Sequence, residues 1–163
     1  MKNKSRAVVI VMVLTMVVVV AVLALAQDKP ADNMQIVLEK VRADKKLLVA
    51  ENMQLTESEA KAFWPVYERY QDELFLLRAR SIKLINDYAD AYGKMTDDTA
   101  EKLLDEYMTI ETLGLKVRKA YLPKFRKVLS SKKTARYYQI ENKIQAALNY
   151  ELAKNIPLVK AAE

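Results

Sequence analysis

Residues 63–128 read FWPVYERYQDELFLLRARSIKLINDYADAYGKMTDDTAEKLLDEYMTIETLGLKVRKAYLPKFRKV, and they form a near mirror about Lys94. Tyr88, Ser81, Leu74, Tyr67 and Phe63 lie before it. Ala100, Tyr107, Gly114, Tyr121 and Phe125 lie equally far after it, and Pro65 and Pro123 are matched in the same way. Two antiparallel helices joined by a tight turn place such positions at equal height. Tyr88 would then face Ala100, Tyr107 would face Ser81, and Leu74 would face Gly114, so that bulk meets space.

Both halves step by four and three. Phe63, Tyr67, Tyr70, Leu74, Leu77, Ser81, Leu84, Tyr88 and Ala91 form one series. Ala100, Leu103, Tyr107, Ile110, Gly114, Val117, Tyr121, Phe125 and Val128 form the other. A sustained 3.5-residue repeat keeps one apolar seam on one side of each helix. At about 1.5 Å of rise per residue each arm would be roughly 40–50 Å long.

The reading is all-α: a hairpin over about 56–92 and 96–128, kinked at Pro65 and Pro123, with flanking helices over about 33–52 and 130–155. Two Gly and four Pro in 163 residues leave little material for loops. Leu55-Thr56-Glu57-Ser58-Glu59 reads as a capping box, in which Thr56 accepts from the Glu59 amide and Glu59 reaches back. Gly93 is expected to stop the first arm in a left-handed conformation. Thr96 caps the second arm, and Ser130, after Leu129, caps the last helix. The two prolines, at the same height, should bend the open end as a unit into a curved outline.

Ahead of this domain, Lys2, Lys4 and Arg6 precede the uncharged apolar run Ala7–Ala26, which ends Ala24-Leu25-Ala26. The pattern reads as a signal peptide over 1–26, or alternatively an uncleaved membrane anchor, followed by a single helical domain over 27–160. The expected location is the periplasm. Those three cations carry half of the net charge of +6, which leaves +3 on residues 27–163.

There is no Cys and no His. The usual general base and the commonest zinc ligand are therefore missing. Asp97, Asp98, Glu101 and Asp105 lack the Gly-containing loop of a calcium site. The expectation is a protein that is not an enzyme and needs no metal or cofactor.

Charge is segregated instead. No acidic residue falls between Thr112 and Ile140, where Lys116, Arg118, Lys119, Lys124, Arg126, Lys127, Lys132, Lys133 and Arg136 accumulate. Phe63, Trp64, Tyr67, Tyr121, Phe125, Tyr137 and Tyr138 are expected near them. Basic groups mixed with aromatic ones suit flexible, partly apolar, acidic partners. The candidate binding residues are Phe63, Trp64, Lys116, Arg118, Lys119, Lys124, Phe125, Arg126, Lys127, Lys132, Lys133, Arg136 and Tyr137. Nucleic acid is not expected, because the export segment removes the chain from it. A second apolar stripe, Phe75, Ile82, Ile85, Ala89 and Tyr92, needs cover from the flanking helices or from a second chain, so a homodimer is possible.

Leu55-Thr56-Glu57-Ser58-Glu59 and Leu129-Ser130-Ser131-Lys132-Lys133 resemble the Leu-Thr-x-x-Gln motifs of the Spy/CpxP family of periplasmic stress proteins, with Glu59 and Lys133 standing in place of Gln. Phe63-Trp64-Pro65-Val66-Tyr67 is similar to a segment of uncharacterised exported helical bacterial proteins. The Spy/CpxP resemblance implies a curved helical dimer. It also implies an ATP-independent chaperone that holds unfolded envelope proteins on a basic, partly apolar face, or alternatively a regulatory or scaffolding partner of a folded envelope protein such as a stress sensor.

Overall fold

The structure, a computed structural model, describes residues 30–160, with side chains from Lys40 onward. Four α-helices make up the described chain: α1 (Pro30–Met53), α2 (Glu57–Ala91), α3 (Asp97–Val128) and α4 (Ser131–Asn155). The protein is all-α, and the expected helix boundaries hold to within three residues. The signal peptide, or alternatively membrane anchor, expected over 1–26 lies outside the described residues. Among the described residues no helix is long and apolar enough to cross a membrane.

The starts of the helices follow the sequence. Thr56 Oγ1 accepts from the Glu59 amide at 3.3 Å, and Glu59 Oε2 accepts from the Thr56 amide at 2.8 Å, which completes the capping box. Thr96 Oγ1 accepts from the Thr99 amide at 3.3 Å, and Ser130 Oγ from the Lys133 amide at 3.3 Å. Each bond satisfies one of the donors that a helix start leaves over.

The stop of α2 differs from expectation. Gly93 has no positive φ; α2 instead tightens into a single 3-10 turn, Tyr92–Lys94, and the Tyr92 amide donates to the Ala89 carbonyl. The i→i+3 bonding of that turn satisfies the last carbonyls without a left-handed residue. The left-handed position among the described residues is Gln54, at φ 50, just past the end of α1. Both α2 and α3 run through their prolines without a break. Each proline still withholds one ladder donor.

The described chain forms two compact units, one of residues 30–54 with 135–157 and one of residues 55–134 with 158–160. In the first, the ammonium of Lys45, only 3% exposed, lies 2.6 Å from Glu141 Oε2, and the Tyr137 hydroxyl donates to Glu141 Oε1 at 3.0 Å. A buried ion pair of this kind adds little net stability, but removing either partner strands a charge. Arg136 Nε donates to the Asn52 carbonyl at 2.6 Å and so caps the C-terminal end of α1.

The second unit is the α2–α3 hairpin. Phe63 and Phe125, one of the pairs equidistant from Lys94, have ring centroids 5.7 Å apart. Tyr70 lies 5.2 Å from Tyr121 and 5.6 Å from Phe125. The Tyr121 hydroxyl donates to Glu73 Oε1 at 2.7 Å. Further toward the turn, Arg80 makes a two-pronged pair with Glu106, with bonds of 2.9 and 2.7 Å.

The predicted fit of bulk into space fails at Gly114. A Cβ added to Gly114 would meet nothing within 4 Å, so Leu74 does not press onto it. Tyr107 leaves half of its surface in solvent, and the Ser81 hydroxyl donates to the Leu77 carbonyl within α2. Tyr88 sets its ring against Tyr92, 5.8 Å away. Two helices bury one seam between them, and the flanks of that seam stay partly open when no third element of the unit covers them.

Candidate partner-binding surface

The basic run occupies the second half of α3 and the start of α4. At about 100° per residue, Lys116, Lys119, Arg126 and Lys127 share an arc of roughly 100° on the side of α3 opposite Ile110, Tyr121 and Phe125. Those three are buried, and the four cations are exposed. They therefore project away from α2. Lys124 lies on one flank, its ammonium 3.8 Å from the Tyr121 ring centroid, and Arg118 is exposed on the other flank. Arg126 and Lys127 also sit in the last turn, where a cation suits the negative end of the helix dipole.

Lys132 is exposed at the start of α4. Lys133 is committed elsewhere: its ammonium pairs with Glu59. This joins the two capping motifs through their fifth residues, Glu59 and Lys133. The Lys133 contact and the Thr56 amide hold the Glu59 carboxyl below the usual carboxylate range. Leu129 is buried and Leu55 half-buried beside their caps. Arg136 belongs to the other unit, where it serves the end of α1.

The aromatic candidates are placed differently from the expectation. Phe63, Phe125 and Tyr137 have no exposed surface. Phe63 packs on Trp64, Tyr67 and Phe125 at 5.0, 5.7 and 5.7 Å. Tyr137 is held by Glu141 and packs on Tyr138 at 5.7 Å. These three rings are core, and in this conformation they offer no face to a partner. Their apolar area is worth more inside than on a wet surface. Trp64 is half-buried, edge-on to Phe63 and Tyr67.

The apolar groups that reach solvent on the hairpin are aliphatic for the most part: Leu76, Leu104, Tyr107, Met108 and Leu115, between 50 and 67% exposed. Leu76, Leu104, Met108 and Leu115 escaped the sequence reading, which followed the stronger seam through Tyr107, Ile110 and Tyr121. A weaker four-and-three series runs along the same helix, through Leu104, Met108, Leu115 and Leu122. Glu111 and Arg118 interrupt it and hide it from a search for unbroken apolar spacing.

The surface offers ammonium and guanidinium groups beside aliphatic patches. It can attract acidic chain over long range and hold short apolar segments weakly. Among the described residues no three His, Cys, Asp or Glu side chains come together to hold a metal ion. Comparison of the chain with family models, curated proteins and solved structures finds no match.

Proposed function

We propose that this protein is a nucleotide-independent holdase, which captures unfolded or partly folded proteins on the outer surface of α3. The observation that carries the reading is the unpaired polarity of that surface: Lys116, Lys119, Arg126 and Lys127 project away from α2 on the helix that also exposes Leu104, Met108 and Leu115. Charge draws in a flexible acidic segment, and the aliphatic groups then hold its apolar residues loosely. Release needs only refolding of the client, because no fixed pocket closes on it.

The apolar run over Ala7–Ala26 supports a location in the cell envelope, with clients among exported proteins. That location rests on the sequence pattern alone.

The test is suppression of light scattering by an aggregating client, without nucleotide. The natural chain is expected to suppress it. Charge reversal in Lys116→Glu, Lys119→Glu and Arg126→Glu together should abolish most of the protection. Raised ionic strength should slow capture, because long-range attraction is screened. Equal protection by the natural and reversed chains would refute the electrostatic surface. Recovery of one folded envelope protein, with no protection of any unfolded client, would favour a regulatory partner instead.

A further inference from the structure

One stripe on the outer side of α3 changes character along its length. Glu101 and Asp105 form an acidic part, Leu104, Met108 and Leu115 an apolar part, and Lys119 and Arg126 a basic part. At about 100° per residue these positions share an arc of roughly 100°, turned away from the core residues Ile110, Tyr121 and Phe125. All of them are exposed, Leu104, Met108 and Leu115 by 51 to 59%. Lys102 and Glu111 fall outside the arc. Glu106, on the flank toward α2, is already taken by Arg80.

Distance decides what such a stripe can read. From Asp105 to Lys119 the helix rises about 21 Å, at roughly 1.5 Å per residue. Exposed charges are screened beyond about 8–10 Å at ordinary ionic strength. The acidic and basic parts therefore act independently once a client is in contact, and each meets only the client charges beside it. The net charge of a client steers its approach, while the arrangement of its charges decides how it is held.

We infer that this face selects unfolded segments with charge of both signs: a basic group, a short apolar stretch, then an acidic group. This selection rests on the holdase reading of the same face. The client's acidic group lies on Lys119 and Arg126, its apolar stretch on Met108 and Leu115, and its basic group on Asp105 and Glu101. An extended chain covers the span from Asp105 to Lys119 in about six residues, at roughly 3.3 Å each. A helical client would need about fourteen residues for the same span, and would have to fold first. A segment acidic at both ends sets one end against Asp105 and Glu101, and that like-charge contact weakens binding. The acidic part of α3 thus acts as a filter against uniformly acidic chain. Either chain direction serves, because an extended segment can lie on the stripe in both senses.

The experiment measures binding of two labelled peptides to the full-length chain by fluorescence anisotropy. Both have the same length and the same apolar centre of about six residues. One carries two lysines before the centre and two glutamates after it. The other carries two glutamates at each end. The natural chain is expected to bind the bipolar peptide about fivefold more tightly, a modest factor because exposed ion pairs are individually weak. Glu101→Lys with Asp105→Lys should reverse the preference. Glu101→Gln with Asp105→Asn, the milder change, should abolish it. Circular dichroism should show both variants as helical as the natural chain, since both positions are exposed. Equal or tighter binding of the acidic peptide by the natural chain would overturn the selection and leave the holdase reading standing. Failure of both peptides to bind would overturn the holdase reading and the selection with it. Gain of helix by the bound peptide would overturn its capture as extended chain.

Discussion

The base and the outer arm of the α2–α3 hairpin are built from the same helices with the same repeat, yet they are packed differently. At the base, Phe63, Tyr67, Tyr70, Tyr121, Phe125 and Leu129 are all buried. Between Asp72 and Ala120, Ile110 alone is buried. Aromatic rings are long enough to fill the seam and reach its flanks. Leucine and isoleucine fill the seam and leave the flanks open. The difference teaches that a heptad repeat specifies which faces meet, while side-chain size decides whether the meeting excludes water.

The sharpest way to break this comparison is truncation at each end. Phe125→Ala should cost about 3–5 kcal/mol, as expected for a fully buried ring. Leu115→Ala, 51% exposed, should cost well under about 1 kcal/mol. Urea titration followed by circular dichroism reads both. Equal losses would mean that the arm is as tightly packed as the base.

The next effect is on pH dependence, also at the base. Burial first, and then the hydrogen bond to Glu73, push the Tyr121 hydroxyl up from 10.0 to about 12. A raised folded-state value means that this group's stabilisation is complete below pH 10 and is lost as pH rises toward 12. Ultraviolet titration of the tyrosinates should show one group ionising late, and Tyr121→Phe should remove that late step.

In the arm the expected change is a gain. A Cβ at Gly114 meets no neighbour, so Gly114→Ala should stabilise by about 0.5–1 kcal/mol through helix propensity alone. A loss would reveal a close approach at that level.

Acid gives the smallest effect. Arg80 holds Glu106, and Lys133 with Thr56 holds Glu59, below the ordinary carboxylate value of 4.5. Their contributions are present above pH 4.5 and fade as pH falls through the depressed values. Glu59→Gln and Glu106→Gln should flatten that part of the stability curve. Both carboxylates keep part of their surface in water, so solvent screening keeps the change small.

The fold was legible because its signals are local. Thr56 with Glu59, Thr96 and Ser130 mark helix starts by hydrogen bonds that span three residues, and Phe63 with Phe125 fixed the height of the hairpin. Gly93 misled because a helix can end in a 3-10 turn as readily as on a left-handed residue. Gly114 misled because a small residue in a seam is also compatible with empty space. The basic part of the surface was legible from the acid-free run after Thr112. Its apolar part was not, because Phe63, Phe125 and Tyr137 read equally well as core or as contact surface, and only their packing separates the two. Lys133 illustrates the same limit: its partner Glu59 lies 74 positions away in sequence.

Amide hydrogen exchange with and without a permanently unfolded acidic client tests the central claim most directly. Exchange should slow across residues 104–127 of α3 when the client is added, with residues 57–70 at the aromatic base unchanged. No slowing anywhere, or slowing centred on Phe63 and Tyr67, would contradict capture on the outer surface of α3.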